Sequence, residues 1–221
     1  MSDVPKAFHL TPQVQRYVVD HSTALDDVQR ALIAETEALG FISIMQIAPE
    51  QGAFMEQFAR AMGATRAIEV GTFTGYSALC LARGLGPGGR LLCCDIDESW
   101  TAVGRRYWQR AGVADRIDLR IAPAADTLAA LPEDPVYDLA FIDADKTGYR
   151  RYYEEILTRL RPNGVVFVDN VLWMGTVVDP ESSGEDIDAI RAFNDFVVAD
   201  PRVEVAMLTV GDGLSLIRKK Q

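Results

Sequence analysis

Acidic and amide side chains follow two apolar runs of this 221-residue sequence, where buried strands are expected to end. Asp143 follows Leu139–Ile142, and Asp169 with Asn170 follows Val165–Val168. Because the carboxyl ends of neighbouring parallel strands meet at one sheet edge, we expect these three side chains to converge. Two carboxylates and an amide oxygen suit an octahedral Mg²⁺, Mn²⁺ or Ca²⁺ better than zinc. The alternative is that these acids cap the helices or turns that follow them.

A glycine-containing loop, Glu69–Ser77 (EVGTFTGYS), lies where a strand gives way to a helix. Its glycines permit a tight turn and close approach of a ligand to the backbone, although a plain turn would also use them. The loop does not match G-x-G-x-x-G, because Phe73 and Tyr76 occupy the second and third glycine positions. A pyrophosphate cradle is therefore disfavoured, whereas the Glu69 carboxylate would attract an ammonium or sulfonium group.

A further acid, Asp95, stands 24 residues after Gly71, at the end of the next apolar run. An acid about 20 residues beyond a glycine loop is well placed to accept hydrogen bonds from both ribose hydroxyls of a nucleoside. A helix cap is the alternative, although Asp97 or Ser99 could serve that purpose as well. The loop and the acid together favour nucleoside binding.

These residues require a sheet to bring them together, and from Ala67 onward short apolar runs alternate with segments of helical period. We predict strands at Ala67–Val70, Arg90–Cys94, Ile117–Ile121, Leu139–Ile142, Val165–Val168, Val203–Thr209 and Gly213–Arg218. We predict helices between them at Ser77–Arg83, Ser99–Ala111, Ala125–Leu131, Tyr149–Leu160 and Asp186–Ala199. The short turn at Gly211–Gly213 favours a terminal hairpin. The predicted fold is thus α/β, a doubly wound, mostly parallel seven-stranded sheet with one reversed strand and helices on both faces.

The part of the chain before Ala67 has helical periodicity, with helices predicted at Pro12–His21, Leu25–Leu39 and Gln51–Met62. At 221 residues the chain is expected to form one domain, since chains usually split only beyond about 250–300 residues. Residues 1–63 would be a helical segment that covers one face, closes over a substrate pocket or pairs with a second subunit.

The charge composition excludes several classes of partner. There are 22 Lys and Arg against 32 Asp and Glu, a formal charge of −10, so nucleic acid and anionic membranes are disfavoured. No apolar run approaches the roughly 20 residues of a membrane span, and no signal peptide is evident at the N-terminus, which predicts a cytoplasmic protein.

The cysteines and histidines also limit the chemistry. The three cysteines form neither a disulfide framework nor a metal-ligand spacing, and we expect them in the core. His9 and His21 are the two histidines, both in the leading segment, so a histidine metal site or a Ser-His-Asp triad is poorly supported.

The motifs taken together resemble one family, the cation-dependent O-methyltransferases of the caffeoyl-CoA and catechol group. The resemblance runs from about Gln46 to the C-terminus and rests on four ordered motifs: Glu69–Ser77, Asp95–Asp97 (DID), Phe141–Lys146 (FIDADK) with Tyr149, and Asp169–Gly175 (DNVLWMG) with Thr176 and Val177. It implies the Rossmann-like class I methyltransferase fold, and from the family we expect a homodimer.

The resemblance also implies a role for each site residue. S-adenosylmethionine would be bound by Glu69, Gly71, Thr72, Ser77, Asp95, Ala124 and Asp145. Asp143, Asp169 and Asn170 would bind the divalent metal, Mg²⁺ or alternatively Mn²⁺ or Ca²⁺. Lys146 matches the lysine assigned as general base in catechol-type members and Asp143 accompanies it as a catalytic residue, while Trp173 would help wall the substrate pocket.

Two departures bear on the acceptor. Met174 stands where plant caffeoyl-CoA enzymes carry a substrate-contacting asparagine, and the N-terminal part matches those enzymes weakly. Both favour a small phenolic substrate with vicinal hydroxyls, such as a catechol or hydroxycinnamate. A nicotinamide-dependent oxidoreductase is an alternative that the incomplete glycine fingerprint disfavours, and a non-catalytic S-adenosylmethionine- or metal-binding protein of the same fold is another.

Overall fold

The computed structural model of the protein describes residues 10–221, and its seven strands form one sheet. The strands are β1 Arg66–Val70, β2 Arg90–Asp95, β3 Ile117–Ile121, β4 Tyr137–Ile142, β5 Leu160–Val168, β6 Val203–Leu208 and β7 Leu214–Lys219. Their order is β3-β2-β1-β4-β5-β7-β6. Strand β7 pairs antiparallel with both β5 and β6, and the other four pairs of neighbouring strands are parallel. The predicted mostly parallel sheet with one reversed strand is therefore confirmed.

Helices cover both faces of this sheet. In chain order they are α1 Pro12–Asp20, α2 Asp27–Glu37, α3 Pro49–Ala61, α4 Tyr76–Gly84, α5 Glu98–Arg110, α6 Ala124–Ala129, α7 Tyr149–Arg159 and α8 Glu185–Ala199. Successive strand side chains point to opposite faces. Ala67 accordingly packs with side chains from α2 to α5, and Ile68 packs with those from α6 to α8.

Several boundaries differ from the sequence prediction, for local reasons. The second helix begins at Asp27 rather than Leu25, because Asp26 and Gln29 form a capping box. The third begins at Pro49, since proline is tolerated in the first helical turn. Strand β5 begins at Leu160, five residues before the predicted start, and an irregular register between Tyr137 and Leu139 absorbs the extension.

The carboxyl ends of the central strands lie side by side, as predicted. Backbone hydrogen bonds continue past the strand ends: the Gly71 N–H donates to the Cys94 carbonyl over 2.9 Å, and the Asp143 N–H donates to the Val70 carbonyl over 2.8 Å. The Asp169 N–H donates to the carbonyl of Ile142 over 3.0 Å. Strand order reverses on either side of β1, so this edge is the topological switch point where ligands bind in such sheets.

Three further expectations concern the cysteines, membrane-spanning segments and the N-terminal residues. Cys80, Cys93 and Cys94 are free and buried, as expected for core residues. No helix among residues 10–221 is long and apolar enough to cross a membrane. Residues 1–9, including His9 and the start of the predicted N-terminal segment, lie outside the described part of the chain.

Candidate active site

The glycine loop after β1 is held against the strand ends by its backbone. Gly71 has φ +90°, and a Cβ at this position would lie 1.9 Å from the Asp143 carbonyl oxygen. Gly75 has φ +83° and precedes α4, with its carbonyl accepting the Trp108 indole N–H over 3.0 Å. A side chain at Gly71 would therefore push the loop away from the β4 end.

Asp95, the last residue of β2, organises the same loop. One oxygen, Oδ2, accepts the backbone N–H groups of Thr72 and Phe73, each over 2.8 Å. The other oxygen, Oδ1, accepts the N–H of Asp97 over 2.9 Å. Asp95 caps no helix, because Asp97 caps α5 through the Ser99 and Trp100 N–H groups. Three of the roughly four acceptor positions of Asp95 are taken, which leaves about one for a ribose hydroxyl.

Glu69 is fully buried at the base of the loop. Its Oε2 accepts hydrogen bonds from the Thr72 hydroxyl and the Cys93 thiol, both over 3.2 Å. Its Oε1 has no hydrogen-bond partner among residues 10–221. Burial raises the pKa of Glu69 to about 8. A buried carboxyl oxygen without a donor is suited to a cationic or hydrogen-bonding ligand.

Lys146 lies at the centre of the second cluster, on the turn after β4. Its buried ammonium group donates to Asp143 Oδ1 over 3.1 Å, to Asn170 Oδ1 over 2.6 Å and to the Tyr149 hydroxyl over 2.7 Å. The Tyr149 hydroxyl donates in turn to the Asp169 carbonyl over 3.0 Å. One positive group thus draws together residues from the ends of β4 and β5.

Asp143 and Asp169 are close enough to affect each other's ionisation. Burial, together with the charge of Asp143, raises the pKa of Asp169 to about 7. Burial also raises the pKa of Asp143, although the Lys146 ammonium opposes this rise. Two carboxylates that repel one another in a buried setting are stabilised when a cation neutralises them.

The donor set fits a hard divalent cation in its chemistry, with two carboxylates and an amide oxygen. Within the described chain, no group of three or more His, Cys, Asp or Glu side chains is arranged to hold a metal ion. The candidate site therefore depends on the Asn170 amide and leaves further coordination positions to water or substrate. It does not suit zinc, in agreement with the sequence interpretation.

The other predicted residues lie on the segments that follow β1, β3, β4 and β5. The Trp173 ring centre lies 5.7 Å from the Lys146 ammonium nitrogen, and Met174 beside it is exposed. Ser77 and Ala124 are buried in the first turns of α4 and α6. Asp145 is exposed, and its carboxylate accepts the Tyr152 hydroxyl over 2.6 Å. In the described structure Asp145 makes no hydrogen bond to the Lys146 cluster.

Two further side chains contact the site residues, and no sequence motif pointed to either of them. Gln51 on α3 donates from Nε2 to Asp169 Oδ2 over 2.8 Å. Asp212, between β6 and β7, accepts the Met174 N–H through Oδ1 over 2.5 Å. Gln51 has no local sequence signal of such a contact, and the glycines around Asp212 indicated only a turn.

Comparisons with known proteins show which family this chain belongs to. A family model described as O-methyltransferase matches residues 19–220. The chain is 40% identical over 210 residues to "Probable caffeoyl-CoA O-methyltransferase 1" of Dictyostelium discoideum, covering 93% of this chain and 91% of that protein. It is 37% identical over 189 residues to caffeoyl-CoA O-methyltransferase of Eucalyptus gunnii, covering 81% and 76% respectively.

A solved O-methyltransferase structure has a similar fold. The O-methyltransferase from Bacillus cereus in complex with SAH matches with a TM-score of 0.86 and 32% identity, covering 94% of this chain and 97% of that one.

Proposed function

The chain belongs to the O-methyltransferase family, and on this premise we propose that it transfers a methyl group from S-adenosylmethionine to one hydroxyl of a small vicinal diphenol, in a reaction that requires a divalent cation. The observation that carries the proposal is the convergence of Asp143, Asn170 and Lys146 at the switch-point edge, next to the Gly71 loop. The same edge would supply the cation ligands, the proton acceptor and, at the Gly71 loop, the place where the cofactor binds.

The loop and Glu69 would bind the cofactor. The orphaned Glu69 oxygen supports contact with the positively charged methionine part of S-adenosylmethionine. Asp95 would act first as the residue that shapes the loop, with its remaining acceptor capacity available to the ribose. Thr72, Ser77, Ala124 and Asp145 remain proposed contacts along the same pocket.

Asp143, Asp169 and Asn170 would hold the cation, which when bound supplies positive charge that lowers the pKa of a phenol hydroxyl from about 10. Lys146 in its neutral form would accept the phenol proton. The phenolate oxygen would then form a bond to the methyl carbon while the carbon–sulfur bond breaks, leaving neutral S-adenosylhomocysteine. The negative charge of the phenolate and the positive charge of the sulfonium cancel in this step, so exclusion of water would favour it. Trp173 would help by keeping water away and by holding the substrate ring in line with the methyl group.

The acceptor and the assembly belong to the same proposal. Exposed Met174 offers no amide for an acyl-CoA chain, which supports a compact catechol or hydroxycinnamate. Exposed apolar side chains of the segment before α3, such as Phe41 and Ile44, support a homodimer formed through the N-terminal helices. Location in the cytoplasm stays a prediction.

The experiment is transfer of labelled methyl from S-adenosylmethionine to catechol, caffeic acid and caffeoyl-CoA, with Mg²⁺ and then with excess chelator. We expect product with the first two acceptors, and we expect the chelator to remove it. Transfer that persists in chelator would reject the cation requirement. Tight cofactor binding without transfer to any of the three acceptors would reject the proposed substrate class and favour the non-catalytic alternative.

A further inference from the structure

Gln51 is a buried polar side chain fixed in place by its helix. It lies at the start of α3, where the next residue, Gly52, packs so closely on α4 that a Cβ would lie 2.8 Å from both Cys80 Sγ and the Tyr76 ring. Its amide nitrogen donates to Asp169 Oδ2 over 2.8 Å, and only 2% of the residue is exposed. The N-terminal helices thus reach the carboxylate at the end of β5 through one hydrogen bond.

The turn between β6 and β7 packs against the side-chain oxygen of Gln51. Gly211 has φ +55°, and a Cβ there would lie 2.5 Å from Gln51 Oε1. Gly213 has φ +89°, and a Cβ there would lie 2.5 Å from the Leu172 side chain. Both glycines therefore serve close packing as well as the turn itself.

Between those glycines, Asp212 holds the chain that follows Asn170. Its carbonyl accepts the Leu172 N–H over 3.1 Å, and its carboxylate accepts the Met174 N–H over 2.5 Å. That chain has left-handed φ values at Asn170 (+53°), Trp173 (+45°) and Met174 (+55°). Such conformations are unfavourable in non-glycine residues and persist only when the surrounding structure enforces them.

We propose that Gln51 and Asp212 are positioning residues for the cation and substrate site. Gln51 orients the Asp169 carboxylate, and Asp212 holds the strained backbone that presents Asn170 and Trp173. The inference rests on the proposed function, because it assumes that Asp169 and Asn170 are cation ligands. It assigns the N-terminal helical segment a direct part in the site, and it gives the terminal hairpin turn a role beyond strand reversal.

The test for Gln51 is Mn²⁺ affinity, measured by the electron paramagnetic resonance signal of free Mn²⁺. Gln51→Met removes the donor at similar volume, and Gln57→Met, at an exposed position of the same helix, is the matched control. Loss of a group that orients a metal ligand typically weakens binding about 10–100-fold. We expect that loss in Gln51→Met alone, with S-adenosylmethionine affinity kept within about threefold of the unmodified protein.

Asp212 provides a second, independent arm. Asp212→Ala removes the acceptor for the Met174 N–H, whereas Asp212→Asn keeps an oxygen there. We expect Asp212→Ala to weaken Mn²⁺ binding and raise the KM for catechol about tenfold, and Asp212→Asn to restore both. A merely structural role would lower the melting temperature without this rescue pattern.

The outcomes separate the inference from the function on which it rests. If the unmodified chain binds Mn²⁺ and Asp169→Ala does not, the ligand assignment stands. Wild-type Mn²⁺ affinity in both Gln51→Met and Asp212→Ala would then overturn the positioning role alone. If the unmodified chain binds no Mn²⁺, the cation requirement and the positioning role both fail. If Gln51→Met does not fold, the Asp212 pair still decides the question.

Discussion

The ammonium nitrogen of Lys146 lies 2.6 Å from the side-chain oxygen of Asn170, a residue 24 positions later in the chain. The contact exists because β4 and β5 are adjacent parallel strands whose carboxyl ends meet. It places the proposed general base directly against a proposed cation ligand. A cation at this site would therefore share its ligands with Lys146, and removal of Lys146 should separate proton transfer from cation binding.

Lys146→Ala should lower kcat far more than it changes Mn²⁺ affinity. General base catalysis typically contributes about 10²–10⁴-fold, whereas Asp143 and Asn170 remain to hold the cation. Steady-state kinetics with catechol and a Mn²⁺ titration measure the two quantities, and Lys220→Ala at an exposed position is the control. A wild-type kcat in Lys146→Ala would remove the lysine from the mechanism.

Asp169→Ala should abolish Mg²⁺ stimulation and most turnover together. Even groups that only orient a metal ligand are worth about 10–100-fold, so loss of a ligand should cost at least that much. Methyl-transfer assays over a range of Mg²⁺ concentrations provide the measurement, with Asp195→Ala on the exposed side of α8 as the control. Retained Mg²⁺ stimulation would refute the assignment of Asp169 as a ligand.

Gly71→Ala should destabilise the protein and weaken cofactor binding, because the new Cβ would collide with the Asp143 carbonyl oxygen. Gly88 is a matched control, since it also has a positive φ (+71°) but no atom within 4 Å of its ideal Cβ. Gly88→Ala should cost about 1–2 kcal/mol for the left-handed conformation alone. Urea unfolding and calorimetric titration with S-adenosylmethionine should show a larger loss for Gly71→Ala, and equal losses would mean that the loop yields without cost.

Glu69 should make stability fall as pH rises. Its pKa of about 8 in the folded chain lies above the ordinary value of 4.5, so the folded state keeps a proton that the unfolded state releases. The stabilisation that this raised pKa gives is therefore complete below about pH 4.5. As the pH rises to about 8, the free energy of unfolding falls by up to about 1.4 kcal/mol per pH unit.

Glu69→Gln isolates this effect, because glutamine does not titrate. Without added cofactor, the free energy of unfolding of the unmodified protein should decline relative to that of Glu69→Gln between about pH 5 and pH 8, and the difference should level off above that range. Denaturant unfolding at several pH values tests this directly. Parallel stability curves for the two proteins would show that Glu69 ionises normally in the folded chain.

Much of the fold could be predicted from the sequence, because hydrophobic periodicity and turn residues are local signals. They identified seven strands in their correct places, the reversed last strand, and the position of Asp143 and Asp169 at strand ends. The family resemblance added residue roles, all of which stay proposals. Strand ends were less accurate, since the start of β5 at Leu160 depends on pairing with Tyr137 rather than on its own residues.

The tertiary structure alone decided which polar groups meet. Asp95 accepts hydrogen bonds from the loop N–H groups, and Lys146 donates to Asn170. Gln51 donates to Asp169, which is 118 positions later in the chain. Such contacts depend on which strands are neighbours and on how closely α3 can approach α4 at Gly52. The sequence by itself therefore determined the elements and the acids they carry to the sheet edge, whereas lateral strand order and helix packing determined the hydrogen bonds, because these link residues that no local pattern connects.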